Sequence, residues 1–291
     1  MGHSVDHSRL VEEAGKIEGG HDWELGLCSV TFRNLAYEDV LELCAQAGVQ
    51  ALEWGADCHV PPNNLKRAIG VGDRTRGFGM SPQSLGSYAQ ISGDVAKCGV
   101  QQYIDCAEAL GASNIRVWAG RRGTSSSDIS AEEYLAIARH FEQIAYQASL
   151  VGLTISIEFH RLTLADNIAS VLQLIDDVDA DNLRSYWQRL AHVDAHAARE
   201  QLSALSSVLS GVHVFNWDAN RKRFPLIEAE PFWRATTQTL LELQPAATKR
   251  PAYIEFVPGD CPQQFLTDAS LLTEMLQMSQ ATAQVQSIAL R

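Results

Sequence analysis

Glu158 and His160 stand two residues apart at the end of the apolar, β-branched run Leu153-Thr154-Ile155-Ser156-Ile157. In a strand such a pair faces one side. A carboxylate that closes an otherwise buried run is costly unless something satisfies it. Three later runs also finish on polar groups: Leu183 to Gln188, Val212 to Asp218 with His213 inside it, and Ala252 to Glu255. Glu158, Gln188, His213 and Glu255 together offer two carboxylates, an amide oxygen and an imidazole. That is a hard-cation donor set, suited to manganese first, with magnesium, cobalt or zinc as alternatives. Two glutamates also balance the charge of one divalent ion. The competing reading is a polar network of the same residues without metal, which leaves two buried carboxylates uncompensated.

For these ends to converge, the elements before them must run in parallel. Short apolar runs recur as strands over residues 25–30, 49–54, 84–90, 114–118, 153–160, 182–188, 211–216 and 253–257. Between them, helical spacing covers 37–47, 65–76, 95–110, 131–150, 164–176, 191–209 and 232–243, with a last helix over 262–279. One-per-unit runs without alternation fit strands buried on both faces, and eight such units fit a (β/α)8 TIM barrel. Residues 1–22 are polar and Gly-rich and read as a flexible arm. Residues 23–291 read as a single barrel domain.

In a barrel, the strand C-termini supply the active site. Further candidates there are His59, with Glu53 and Asp57 nearby, Tyr88, and Arg116 and Trp118. The aromatics Phe32, Trp54, Tyr88, Trp118, Phe159, Trp187, Phe215 and Trp217 would offer apolar walls to a polyol, and Arg221 a cation from the seventh loop. Core packing is the competing reading for the aromatics, and a solvated surface charge for Arg221.

The formal net charge of -12 argues against a nonspecific grip on nucleic acid or an anionic membrane. No GxGxxG or GxxxxGK[ST] motif occurs, which lowers the odds of a dinucleotide enzyme or NTPase. Six cysteines without a CxxC pair read as reduced thiols. Without a signal-like start or an 18-residue apolar stretch, the expected setting is cytoplasmic.

Glu-Trp-Gly-Ala-Asp-Cys-His-Val (53–60), Ser-Tyr (87–88), Arg-Val-Trp-Ala-Gly (116–120), Ile-Glu-Phe-His (157–160), Tyr-Trp-Gln (186–188), His-Val-Phe-Asn-Trp-Asp (213–218) and Ile-Glu-Phe (254–256) together resemble the xylose-isomerase-like TIM barrels. That superfamily of sugar phosphate isomerases and epimerases includes tagatose epimerases, hydroxypyruvate isomerases and inosose dehydratases. The resemblance runs from Leu25 to about Met278. It implies metal ligation by Glu158, His213 and Glu255. The strand-six ligand, usually Asp, falls on Gln188, which brings no charge, and a substrate-contacting His of the epimerases is replaced by Ala191.

By the same resemblance, Glu158 and Glu255 would be the acid/base pair of an isomerase or epimerase acting on a sugar, keto-sugar or related hydroxy-carbonyl compound through an enediolate. The second expectation is a metal-dependent dehydratase or lyase of a keto-inositol or keto-glycoside, with His160 or His59 as general acid. An abasic-site endonuclease and a barrel that binds sugar without turnover complete the set. The expected partner is a small carbohydrate, and a homo-oligomer is compatible with the family.

Overall fold

The structure is a computed structural model describing residues 22–93, 99–244, 246 and 248–289, with side chains to residue 277. Apart from Asp22, the expected arm therefore lies outside the described residues, as do residues 95–98 of the expected third helix. Eight strands, β1 Trp23–Cys28, β2 Ala51–Gly55, β3 Ser81–Ile91, β4 Asn114–Ala119, β5 Thr154–Glu158, β6 Leu183–Gln188, β7 Leu209–Val214 and β8 Arg250–Ile254, are all parallel. They pair in sequence order and close where β1 meets β8. The intervening helices are α1 Tyr37–Ala47, α2 Leu65–Gly77, α3 Val100–Leu110, α4 Ala131–Ser149, α5 Ile168–Val178, α6 Ala195–Leu205, α7 Glu230–Glu242 and α8 Pro262–Ala289. This is a (β/α)8 barrel, as the run count predicts.

The outward strand residues Leu27, Leu52, Ile115, Val117, Ile155, Ile157, Val212 and Ile254 are buried beneath the helices in one continuous apolar core. The lumen is polar instead: Ser84, Asn114, Ser156 and Tyr186 interlock there. Asn114 Nδ2 donates to Tyr186 Oη at 3.0 Å and to Ser84 Oγ at 3.0 Å. Gly26 is required at this level, because a Cβ there would stand 2.4 Å from the Tyr253 ring.

Element ends shift where side chains cap the backbone. Asp194 accepts the Ala197 N–H at 2.8 Å, so α6 starts at Ala195 rather than at 191. Asn167 accepts from Ser170 at 3.0 Å and starts α5 at Ile168 rather than at 164, leaving 161–167 as a loop over the barrel mouth. β8 ends at Ile254, so Glu255 sits just beyond it. Phe256 then takes a left-handed φ of 58°, with its N–H donated to Thr31 Oγ1 at 2.9 Å. A non-glycine residue in that conformation is held by its surroundings, here at the turn that follows Glu255.

Candidate active site

A cavity of about 370 Å³ opens at the C-terminal mouth of the barrel. Its lining includes Glu158, Gln188 and Glu255, with His213 fully buried beside them. His213 Nδ1 lies 3.4 Å from Gln188 Oε1 and 3.6 Å from Glu255 Oε2. Gln188 Nε2 lies 3.4 Å from Glu158 Oε1. These separations are long for hydrogen bonds. The two contacts of His213 Nδ1 match ligand atoms around one ion, which lie roughly 3.0–3.6 Å apart when each is about 2.1–2.2 Å from the metal, whereas Gln188 Nε2 is an amide donor that ties Glu158 to the group by a long hydrogen bond. The four strand-end residues expected as ligands are therefore brought together.

The second oxygen of Glu158 is held firmly. Arg116 Nη1 and Trp118 Nε1 both donate to Oε2, leaving Oε1 toward Gln188. Burial raises this carboxyl, but Arg116, His213, His160 and Trp118 outweigh it and bring it to about 2. At Glu255 burial dominates and the carboxyl is raised. The two acids of the site are thus driven apart.

Arg116 is buried and also donates Nε to Glu53 Oε1 at 2.7 Å, so one guanidinium joins two buried carboxylates. Gly86 makes room for it: a Cβ there would lie 2.7 Å from Glu53 Oε1 and 3.0 Å from Arg116 Nη2. Beneath His213, Cys28, Glu53 and His213 form a second buried donor group whose atoms lie within 4.8 Å of one another and could hold a metal. The two groups share His213 through opposite nitrogens. In the deeper group, Glu53 is already bonded by Arg116 and by Ser84 Oγ at 3.1 Å. Burial and nearby carboxylates push the Cys28 thiol well up, away from the thiolate that binds metal. His213 Nε2 has no hydrogen-bond partner among the described residues and lies 3.8 Å from Glu53 Oε1. An N–H on Nε2 pointing to that carboxylate leaves the Nδ1 lone pair for the cavity side.

His160 lines the same cavity. Its Nδ1 lies 2.7 Å from the Arg161 carbonyl oxygen, so that nitrogen must carry the proton and Nε2 keeps a lone pair. Burial lowers its basicity, with Arg122 and Arg116 adding to the effect and Glu158 opposing it; the net shift is downward. The ring stacks on Trp118 at 5.5 Å between centroids.

Tyr88, Arg116, Trp118 and Arg221 line the cavity as expected. Other expected contacts do not. His59 is buried with both nitrogens engaged, Nδ1 with Ser29 Oγ at 2.9 Å and Nε2 with the Leu35 carbonyl at 3.1 Å. It ties the loops after β1 and β2 together. Trp54 donates to Thr75 Oγ1 on α2 at 3.2 Å, and Trp187 to Gln201 on α6 at 2.9 Å. Both point outward because their neighbours Glu53 and Gln188 point inward. Strand parity was the signal, since adjacent residues cannot both face the lumen. His59→Gln is expected to lower the denaturation midpoint while leaving KM within about twofold, which urea unfolding and steady-state kinetics check together.

Phe215 and Trp217 form walls as expected, and residues not anticipated include Arg33, Arg122, Arg161, Arg189 and Arg223. The arginines lie on loops, where periodicity carries no signal.

No family model matches the chain. Over an alignment of 168 residues, covering 54% of this chain and 59% of the relative's length, the chain is 24% identical to a 3-dehydroshikimate dehydratase of Bacillus anthracis. Among solved structures, the probable 3-DHS dehydratase of the same organism superposes with a TM-score of 0.71 at 17% identity, covering 86% of this chain and 98% of that one. The fold is that of the xylose-isomerase-like TIM barrels. A xylose isomerase domain protein from Planctomyces limnophilus (TM-score 0.68, 15% identity, 91% and 100% covered) and an L-ribulose 3-epimerase (0.66, 15%, 91% and 98%) share it. Among the described residues no helix is long and apolar enough to cross a membrane.

Proposed function

We propose that the protein is a divalent-metal-dependent dehydratase that removes water from a cyclic polyhydroxy ketone, with the metal held by Glu158, Gln188, His213 and Glu255. The observation that carries this reading is the contact of His160 Nδ1 with the Arg161 carbonyl oxygen at 2.7 Å in a ring that lines the cavity, a geometry that commits Nδ1 as the donor and leaves the lone pair on Nε2. An epimerase needs proton carriers on both faces of the substrate. Here Glu158 has one oxygen anchored by two donors, which suits a ligand better than a mobile base. The partial match to a protein named 3-dehydroshikimate dehydratase points the same way and makes 3-dehydroshikimate the first compound to try.

His160 Nε2 accepts the proton from the carbon beside the ketone, and the C–H electron pair moves toward the carbonyl oxygen. The C–O bond at the β-carbon then breaks as the new C=C bond forms, and the imidazolium returns its proton to the departing hydroxyl as water. The ion supplies Lewis-acid charge to the carbonyl when bound. Glu158 stays ionised under Arg116 and Trp118, and the rings of Tyr88, Trp118, Phe215 and Trp217 exclude water from the ring of the substrate.

Stripping divalent ions with a chelator is expected to abolish turnover and lower the melting temperature, and added manganese to restore both. At an ion concentration of about 100 Kd the bound ion contributes about 2.7 kcal/mol of stability. Activity and melting curves that ignore the chelator contradict the metal assignment.

A further inference from the structure

On a chain of net charge -12, the cavity is strongly cationic: seven of its lining residues are arginines against three carboxylates. The inner arginines are matched. Arg116 is shared by Glu53 and Glu158, Arg33 is paired with Asp57, and Arg223 with Asp260. Arg189 is half-buried, donating to the Val193 carbonyl at 3.1 Å and lying over the Phe232 ring.

Arg122, Arg161 and Arg221 are different. They come from the loops after β4, β5 and β7, are exposed, and have no carboxylate partner among the described residues. Arg122 is steadied by its guanidinium over the Trp118 ring at 4.7 Å and by its N–H donated to Gln90 Oε1 at 2.8 Å. Arg221 is set by a left-handed φ of 65° and by its N–H to the Asp218 carbonyl at 3.0 Å. Asp218 lines the same cavity, and its Oδ1 accepts the backbone N–H groups of Asn220 at 2.8 Å and Lys222 at 2.9 Å, which fixes the carboxylate within its own loop.

We infer that Arg122, Arg161 and Arg221 form a receptor for an anionic group on the substrate, a carboxylate or a phosphate ester, held at the mouth while the reacting carbons lie below at His160. This deepens the dehydratase reading and rests on the same cavity. The polarity follows from charge: the buried Arg116 is neutralised by two carboxylates and Arg33 and Arg223 by one each, so apart from the half-buried Arg189 the uncompensated positive charge is at the rim. Planar guanidinium forks suit either oxyanion. A neutral keto-inositol or keto-glycoside would leave these arginines without a counter-charge, so such compounds are poor substrates.

The test is calorimetric titration of the manganese-loaded full chain with three non-reacting cyclic polyols: neutral myo-inositol, its carboxylate counterpart quinate, and an inositol monophosphate. At least one anion should bind more tightly than myo-inositol by on the order of tenfold or more. The gain should shrink in added salt and disappear in the double variant Arg161→Gln/Arg221→Gln. Quinate alone gaining assigns a carboxylic acid substrate, and the phosphate alone gaining a phosphate ester. Equal affinity for all three, or a gain that survives in the double variant, overturns the receptor. None of the probes is a ketone, so failure to dehydrate any compound leaves this result standing, and the two readings fail separately.

Discussion

Replacing His160 by Gln is expected to lower kcat by about 10²–10⁴-fold, the range typical for loss of a positioned general base. The amide keeps a donor for the Arg161 carbonyl but has no lone pair of comparable basicity to offer the substrate carbon. Because His160 stands outside the proposed donor set, manganese affinity and the melting temperature should stay near those of the parent. That combination separates chemistry from scaffolding: a residue that only packed on Trp118 would move stability and spare kcat. If kcat is retained, the proton is carried elsewhere, and Glu255, whose carboxyl burial raises, is the group that remains in the cavity to carry it.

The second large effect falls on stability. Arg116→Met removes the guanidinium that joins Glu53 and Glu158, all three being buried. Removing one partner of a buried ion pair costs about 3–5 kcal/mol because the remaining charge is uncompensated. The pH dependence has a definite sign. The Glu158 carboxyl lies near 2 in the folded protein against 4.5 for the free group, so the folded state binds fewer protons than the unfolded state in that interval. Its contribution is fully present above 4.5 and is lost as pH falls toward 2. In the variant Glu158 can take up a proton instead of remaining charged and unpaired. The deficit relative to the parent should therefore be largest at neutral pH and should narrow below pH 4.5. Urea unfolding of both proteins in chelator, at neutral and acid pH, measures it. A deficit that does not change with pH would show that Arg116 acts through packing alone.

The barrel and the clustering of the four polar strand ends proposed as metal donors are legible in the sequence because both rest on periodicity. Apolar runs repeat with one polar end each, and parity places Glu158, Gln188, His213 and Glu255 on the inner face near the strand ends. Parity also explains why Trp54 and Trp187 belong to the layer between strands and helices, where α2 and α6 accept their indole N–H groups. His59 carries no such signal. It stands in a turn beyond β2, and only the closure of the barrel shows that Ser29 and the Leu35 carbonyl take both of its nitrogens. The Glu53–Arg116–Glu158 chain spans three strands. Each residue is readable alone, but their pairing depends on the space left by Gly86. The arginine rim is the least legible part, since Arg122, Arg161 and Arg221 sit in loops of unrelated sequence that meet only around the cavity.

The central claim is that the proton taken by His160 leaves with a hydroxyl group, not to be returned to carbon. It is tested most directly by incubating the manganese-loaded protein with 3-dehydroshikimate in deuterated water and weighing the product by mass spectrometry. The account predicts a product lighter than the substrate by one molecule of water, formed by the parent and not by His160→Gln. A product of unchanged composition that has gained solvent deuterium at carbon would contradict it and identify an isomerase or epimerase instead.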